Sequence, residues 1–182
     1  MTIAEKKTQL LTIFKEKALK RGDFTLASGA KSHYYIDGKL VSFHPLGAYL
    51  SAELILDSIK DDNLDAVGGL ALGAIPISCA VAALSAVTSC PLYSFTVRKE
   101  IKEHGTQKRI EGYMQAGWRV AILEDVVSTG GSSFTAIEAI EQAGAKVIKV
   151  IALVDRLMGA KEKFSQAGYT LTSLFTRQDL GV

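Results

Sequence analysis

The stretch VAILEDVVSTGGSSF, residues Val120–Phe134, decides the fold because it predicts a strand, a loop and a helix in immediate succession. Its apolar start, Val120–Leu123, has the length and composition of a buried strand in a parallel sheet. Two adjacent carboxylates, Glu124 and Asp125, follow this run. A loop of small and hydroxyl residues comes next, and apolar residues then recur at helical spacing from Phe134 onward. The stretch therefore predicts α/β architecture.

The loop between this strand and this helix suits a phosphate group. Backbone N–H groups at a helix N-terminus, together with the helix dipole, favour a bound anion. Gly130 and Gly131 permit close approach of a ligand and any positive φ that it requires, and the hydroxyls of Ser128 and Thr129 add donors. The acidic pair before the loop suits sugar hydroxyls or a hard cation. The segment thus predicts a site for a phosphorylated sugar.

The alternatives for this loop are an ordinary strand-to-helix turn that contains glycine, or another phosphate-binding motif. The acidic pair at the strand end argues against the ordinary turn. The sequence has no GxxxxGK[ST] motif, and no GxGxxG follows a predicted strand, so the two common nucleotide-binding loops do not apply.

Length and composition favour a single domain over residues 1–182. The formal net charge of +2 gives no field that argues for nucleic acid or a membrane surface as a partner. The N-terminus lacks the apolar run of a signal peptide, and the richest apolar stretch, Ala71–Val87, is interrupted by Pro76.

Cys79 and Cys90 have neither metal-ligand nor CxxC spacing, so we expect two small core residues of a reduced, cytoplasmic protein.

Alternating periodicities predict a doubly wound α/β fold with a mainly parallel sheet flanked by helices. Helices are predicted over residues 3–20, 45–59, 75–87, 132–143 and 159–167, and strands over residues 24–26, 34–36, 66–69, 92–98, 119–124, 146–154 and 171–175. Arg21–Asp23 is expected to end the first helix. Ligands of such sheets lie at the carboxyl ends of strands, which here are Gly68–Gly73, Arg98–Lys99, Glu124–Ser133 and Asp155–Arg156.

A basic segment, Arg98–Thr106, begins where one of these strands is predicted to end. It carries Arg98, Lys99, Lys102 and His104 and has no apolar periodicity. A run of charges is most often a solvated surface. This run, however, departs from the ligand side of the predicted sheet, where cations can neutralise a pyrophosphate and help to exclude water.

The strand, acidic pair and loop of residues 120–132 resemble the ribose-phosphate signature of type I phosphoribosyltransferases. The resemblance implies that family's fold, with a helix and small N-terminal hood over about residues 1–40 and the core over about residues 41–182. It implies that Glu124 and Asp125 hold the ribose 2′ and 3′ hydroxyls of phosphoribosyl pyrophosphate (PRPP), and that the following loop holds its 5′-phosphate. The family usually has aspartate where this chain has Glu124, which keeps the charge but lengthens the side chain.

Three further segments narrow the resemblance to orotate phosphoribosyltransferases. The basic segment, with Ile110–Gly112 after it, is similar to their catalytic loop. Phe24–Gly29, together with Ser32 and Tyr34–Asp37, resembles their orotate-side segment, and Val154–Arg156 resembles a late strand end at which an arginine faces the base. These motifs occur in the family's order from residue 24 to residue 156.

The resemblance implies transfer of ribose 5-phosphate from PRPP to orotate, which gives orotidine 5′-phosphate and diphosphate in the de novo biosynthesis of the pyrimidine nucleotide UMP. Breaking the anomeric C–O bond leaves positive charge on the sugar and negative charge on the diphosphate, so cations near the diphosphate stabilise the transition state. Lys102 is the expected catalytic cation, supported by Arg98, Lys99 and His104. The PRPP-binding residues implied are Arg98, Lys99, Lys102, His104, Glu124, Asp125, Val126, Val127, Ser128, Thr129, Gly130, Gly131 and Ser132.

Ser128 and Arg156 are the expected orotate-binding residues, and a planar guanidinium matches a carboxylate or imide edge. Mg²⁺ is the expected cofactor, bound mainly through PRPP rather than by protein side chains. The expected partners are orotate, PRPP and a second copy of the chain in a homodimer with shared active sites; no nucleic acid and no membrane are expected.

Some members of the family have lysine where this chain has Ala27 and Gly73, and backbone N–H groups of the Leu72–Ala74 turn are the expected substitute on the pyrophosphate side.

Other interpretations remain open at this stage. A phosphoribosyltransferase for another base would share the sugar-phosphate loop but not the basic segment or the FTLASG segment. A non-catalytic regulator that senses PRPP would be expected to carry a nucleic-acid-binding module or a basic face. A bifunctional enzyme with a fused decarboxylase would be expected to be longer. Arg156 could also form a surface salt bridge with Asp155.

Overall fold

The computed structural model describes residues 1–25, 31–99 and 109–182. The helices in these ranges are α1 (Ile3–Ile13), α2 (Lys39–Ser42), α3 (Pro45–Ile59), α4 (Ala74–Ser85), α5 (Gly131–Gln142) and α6 (Ala160–Gln166), and a π-helical turn over Phe14–Ala18 follows α1. The strands are β1 (Leu19–Thr25), β2 (Lys31–Ile36), β3 (Ala66–Leu70), β4 (Tyr93–Val97), β5 (Ile110–Gly112), β6 (Arg119–Val127), β7 (Lys146–Asp155) and β8 (Leu171–Thr176).

Six strands form one sheet in the order β5-β4-β3-β6-β7-β8, in which β5 is antiparallel to β4 and the other neighbours are parallel. The chain leaves β3 towards β4 on one side and returns to β6 on the other. The winding therefore reverses between β3 and β6, and open α/β sheets bind their ligands in the crevice at such a point. The predicted doubly wound, mainly parallel sheet is confirmed. β1 and β2 pair separately as an antiparallel two-stranded sheet.

Apolar side chains cover both faces of the main sheet, as a parallel sheet requires. Alternate residues of β6 take opposite sides. Ala121 and Leu123 pack with residues of α1, α3 and α4, while Val120 and Ile122 pack with residues of α5 and α6. This packing on two sides holds the carboxyl ends of β3 and β6 next to each other.

The first helix is shorter than predicted. α1 ends at Ile13, the π-helical turn ends at Ala18, and Leu19 already has extended backbone angles. The expectation that Arg21–Asp23 ends the helix is wrong, because these residues lie within β1. Leu19 pairs with Ile36 of β2, so pairing with a partner strand outweighs the helical spacing of the apolar residues.

The strand bounds also differ from those predicted: β1 and β2 are longer than expected, and the largest differences in the main sheet are at β6 and β5. β6 continues through the acidic pair to Val127, because it still pairs with β7 there. Both carboxylates are buried within this extended part of the strand. β5 was predicted as loop; its three residues pair with β4, and Ile110 lies opposite Val97. The segment that leaves β4 therefore returns to the same edge of the sheet.

The two cysteines do not belong to the core, so that expectation is wrong. Cys79 and Cys90 are both exposed. Cys79 lies on α4 away from the buried face formed by Ile77, Ser78 and Val81, and Cys90 lies in the turn that precedes β4. In the described part of the chain, no helix combines the length and the apolar character that crossing a lipid bilayer demands.

Candidate active site

Glu124 and Asp125 are neighbours on β6 but meet different elements, because consecutive side chains of a strand point to opposite faces. The Glu124 carboxyl faces α5, where the hydroxyl of Ser133 donates a hydrogen bond to its Oε2 atom at 3.0 Å. The Asp125 carboxyl faces the other side, next to Gly38 and Gly73. Both acidic residues are less than a tenth exposed. The pair thus lies across the edge of the sheet at the point where the winding reverses.

Burial changes the protonation of this pair. Loss of solvent is the main cause that raises the pKa of Glu124 to about 8, and the charge of Asp125 raises it further, while the Ser133 hydrogen bond opposes the change. Burial also raises the pKa of Asp125, against the Val126 N–H and the Lys39 ammonium, which lower it. A pKa of about 8 leaves Glu124 mostly protonated at neutral pH. A carboxyl beside a carboxylate offers both a donor and acceptors to sugar hydroxyls.

Gly38 and Gly73 have no side chains and so leave room for the Asp125 carboxyl. A Cβ atom on Gly73 would lie 2.6 Å from Asp125 Oδ1, and one on Gly38 would lie 2.8 Å from Asp125 Cβ. The N–H group of Val126 donates to Asp125 Oδ1 at 2.9 Å. Side chains at either glycine would therefore displace the carboxylate, so its position depends on the turns that follow β2 and β3.

The loop after β6 encloses one side of the site. It lines a cavity of about 220 Å³ together with Glu124. Gly130 has a φ of +85° and precedes α5, and a Cβ atom on Gly131 would meet nothing within 4 Å. Positive φ is therefore required at Gly130 only, while Gly131 leaves open space over the helix N-terminus. This is the geometry of an anion site formed by a loop and a helix end.

A second cavity of about 310 Å³ lies on the other side of the acidic pair. Its lining comprises the turn Leu70–Gly73 after β3, together with Lys39, Glu124, Asp125 and Ser132. Glu124 and Ser132 line both cavities, so the two spaces adjoin at the acidic pair. The site can thus receive an elongated ligand with one end in each cavity.

Arg156 lies just beyond the end of β7 and is only 8% exposed. Its guanidinium donates to Ser128 Oγ and Ser32 Oγ, both at 3.5 Å, and lies 5.0 Å from the centre of the Tyr34 ring. Its Nε atom is buried and has no partner among the described residues. The alternative salt bridge is not formed between the described side chains, because the carboxylate of Asp155 instead accepts the N–H of Leu157 at 2.7 Å. The guanidinium thus keeps donor capacity for a planar ligand.

Of the basic segment, the structure describes only Arg98 and Lys99. The Nε atom of Arg98 donates to Glu111 of β5 at 3.0 Å, and the N–H group of Arg98 bonds to the carbonyl of Arg109 at 2.8 Å. Neither Arg98 nor Lys99 lines the two cavities as described. Lys102 and His104 lie outside the described residues.

The sequence analysis did not foresee the contacts by which four residues contribute to this site, namely Lys39, Ser133, Gly38 and Gly73. Lys39 follows Asp37 at the start of a four-residue helix, and a lysine near an aspartate is common on protein surfaces. Ser133 falls just after the loop, and nothing in the sequence indicates that its hydroxyl meets the buried Glu124 carboxyl. The cue that could have identified Lys39 is its position directly after the segment that resembles the orotate side.

Comparison with known proteins gives a consistent result. Residues 43–171 match the family model described as the phosphoribosyl transferase domain. The chain is 44% identical to the orotate phosphoribosyltransferase of Aquifex aeolicus, covering 94% of this chain and 96% of that protein. It is 42% identical to the enzyme of that name from Bradyrhizobium diazoefficiens, covering 96% of each.

Solved structures agree with the sequence comparison. The orotate phosphoribosyltransferase of Mycobacterium tuberculosis, in complex with Fe(III) dicitrate, superposes with a TM-score of 0.86 at 33% identity, covering 97% of this chain and 99% of that one. The same enzyme in complex with PRPP superposes with a TM-score of 0.82 at 31% identity, covering 97% and 99%. The chain therefore belongs to the phosphoribosyltransferase family and, within it, to the orotate phosphoribosyltransferases.

Proposed function

We propose that this protein transfers ribose 5-phosphate from PRPP to orotate and releases orotidine 5′-phosphate and diphosphate, a step in the biosynthesis of pyrimidine nucleotides. The observation that carries the proposal is the acidic pair between two adjoining cavities, with Arg156 at the next strand end. The relatives named orotate phosphoribosyltransferase, and the solved relative with PRPP bound, support the same assignment.

The two cavities fit the two anionic ends of PRPP. The cavity formed by the loop Val126–Ser132 suits the 5′-phosphate, because it lies over the N-terminus of α5. The acidic pair is suited to the ribose hydroxyls. The diphosphate then falls in the cavity beside the Leu70–Gly73 turn.

The reaction breaks the anomeric C–O bond, so positive charge develops on the ribose and negative charge on the departing diphosphate. The neighbouring Asp125 carboxylate favours the first charge, and cations favour the second. Lys102, with Arg98, Lys99 and His104, is proposed to supply that positive charge from the basic segment. Orotate is already an anion and needs no strong base.

Mg²⁺ is proposed to enter with PRPP. Within the residues that the structure describes, no group of three or more His, Cys, Asp or Glu side chains could hold a metal ion. Diphosphate oxygens and water are ligands that Mg²⁺ commonly takes. When bound, it supplies positive charge to the leaving group.

Orotate is proposed to lie against Arg156 and Ser128. The Arg156 guanidinium lies 3.5 Å from Ser128 Oγ, and its planar array of N–H donors matches a carboxylate or imide edge. Ser128 belongs to the loop that receives the sugar phosphate, so a base held here would lie next to the ribose.

A homodimer with shared sites, a single-domain organisation and a cytoplasmic location are also part of the proposal. An exposed aromatic cluster supports the dimer: the Tyr93 ring lies 5.2 Å from that of Tyr113 and 5.1 Å from that of Trp118, and the two tyrosines are 50% and 66% exposed. Apolar surface of this kind often marks an interface. The packing of α1 on the same core as α3 and α4 supports one domain over residues 1–182.

The proposed function is tested by following the loss of orotate absorbance with PRPP and Mg²⁺, beside parallel reactions with uracil, adenine and hypoxanthine. We expect orotate to be consumed only when PRPP and a divalent cation are both present. Faster turnover of a purine base would show that the substrate assignment is wrong, and binding of PRPP without turnover of any base would favour a regulator.

A further inference from the structure

Lys39 places an ammonium group in the cavity beside the Leu70–Gly73 turn. It is the first residue of α2 and lines this cavity with Asp125, which lies far from it in the sequence. Its side chain is 38% exposed, so a ligand in the cavity can reach the ammonium group.

Asp37 holds Lys39 in this position by two contacts. The Lys39 Nζ atom lies 2.7 Å from Asp37 Oδ1, and the backbone N–H group of Lys39 donates to the same oxygen at 3.2 Å. One carboxylate thus fixes both the start of α2 and the direction of the side chain. Fewer rotamers are left to lose when a ligand binds, which favours binding.

The charge of the cavity makes this cation important. Its described lining contains two acidic residues, Glu124 and Asp125, and Lys39 is the one basic residue among those that line it. The negative charge that Asp125 carries when it is ionised would repel a phosphate group placed beside it. The Lys39 ammonium offsets that repulsion from inside the cavity, where partial burial leaves charges less screened than on the surface.

We propose that Lys39 binds the diphosphate group of PRPP and that Asp37 is its positioning residue. The inference rests on the proposed function, because it takes PRPP as the ligand that spans the two cavities. An ammonium group has three N–H donors. One can remain on Asp37 while another reaches a diphosphate oxygen, so Lys39 can bind the ligand without breaking the contact that orients it.

The test compares two ligands that differ only in the group at issue. PRPP carries both the 5′-phosphate and the diphosphate, whereas ribose 5-phosphate lacks the diphosphate. Binding of each is measured by calorimetry at fixed Mg²⁺ for the wild type, Lys39→Met, Lys39→Arg and Asp37→Asn. Lys60→Met is the matched control, because Lys60 pairs with Asp57 at 3.2 Å on the surface and lines neither site cavity.

Lys39→Met is expected to weaken PRPP binding by about tenfold to a hundredfold, the range for losing a hydrogen bond to a charged group. Its affinity for ribose 5-phosphate should change by less than about twofold, because that ligand needs only the loop and the acidic pair. Lys39→Arg should recover part of the PRPP affinity, Asp37→Asn should lose less than Lys39→Met, and Lys60→Met should match the wild type.

Unchanged PRPP affinity in Lys39→Met would overturn the inference, and so would an equal loss for both ligands, which would make Lys39 structural. If Lys39→Met binds neither ligand, the affinities for PRPP and ribose 5-phosphate are compared in Lys39→Gln instead. Its side chain can still bond to Asp37. Orotate turnover by the wild type is measured separately. A wild type that binds PRPP but consumes no orotate contradicts the proposed function and leaves the Lys39 result interpretable.

Discussion

The proton on Glu124 couples the stability of the fold to pH. Burial and the charge of Asp125 raise the pKa of Glu124 to about 8 from its usual value of 4.5. Between these values the folded chain holds a proton that the unfolded chain has released, so the free energy of unfolding falls as the pH rises. This contribution is complete below pH 4.5 and is lost by the time the pH has passed through about 8. The limiting slope is about 1.4 kcal/mol per pH unit.

We predict that Glu124→Gln flattens this dependence, because glutamine resembles the protonated carboxyl and does not titrate. Urea unfolding of both proteins between about pH 5.5 and 7.5 should give a steeper decline for the wild type. This range avoids the opposite effect of Asp179, whose pKa is lowered by the Thr176 N–H group and whose contribution is lost only in acid. Contributions that are common to both proteins cancel in the difference. Equal slopes would mean that Glu124 is ionised throughout.

At the level of the elements, the turn from β6 to α5 contains two glycines with different requirements. A side chain on Gly130 would need a positive φ, and its Cβ atom would lie 2.9 Å from the Phe164 ring. Gly131 has neither constraint. The fold therefore depends on Gly130, whereas the space beside Gly131 is available to a ligand.

We predict that Gly130→Ala lowers the free energy of unfolding by about 1–3 kcal/mol. Gly131→Ala should change it by less than about 0.5 kcal/mol but weaken PRPP binding by about tenfold or more, since the methyl group would occupy the proposed phosphate site. Thermal unfolding and calorimetry on the two variants measure both effects. PRPP affinity that is unaffected by Gly131→Ala would contradict a phosphate site over the N-terminus of α5.

The elements that could be predicted are those whose signal lies within the element itself. α3 (Pro45–Ile59) has the predicted bounds, because a proline at its first position and apolar periodicity mark it locally. β5 could not be predicted, since its three residues become a strand only by pairing with β4. α2 is too short to show a period.

The candidate site likewise has a part that could be predicted from the sequence and a part that could not. The acidic pair and the loop after it were predictable because strand, carboxylates, glycines and helix follow each other in the chain. The approach of Lys39 and Gly73 to Asp125 joins segments that are distant in sequence, and only the packed sheet brings them together. The direction of the Glu124 carboxyl towards Ser133 likewise depends on where α5 packs.

For the whole molecule, we predict that two inactive variants restore each other if active sites are shared between subunits. Lys102→Ala impairs the basic segment and Asp125→Asn impairs the acidic pair, so each homodimer has two damaged sites. In a mixed dimer with crossed segments, one site carries both changes and the other carries none. Random exchange should then restore up to about a quarter of the wild-type rate.

The measurement is orotate turnover after mixing, with subunit exchange verified by differently tagged chains. Each variant exchanged with itself is the control. No recovery despite complete exchange would mean that each basic segment serves its own subunit, which rules out the shared site but not the dimer.

The antiparallel pairing of β5 with β4 has a consequence for how this chain can change over time. The N–H group of Arg98 donates to the carbonyl of Arg109, and Val97 pairs with Ile110, so both ends of the intervening stretch are fixed on the sheet. The entropy of closing such a connection grows slowly, by about 0.6 kcal/mol for each doubling of its length. A change in the length of that connection during evolution is therefore expected to cost little free energy of closure.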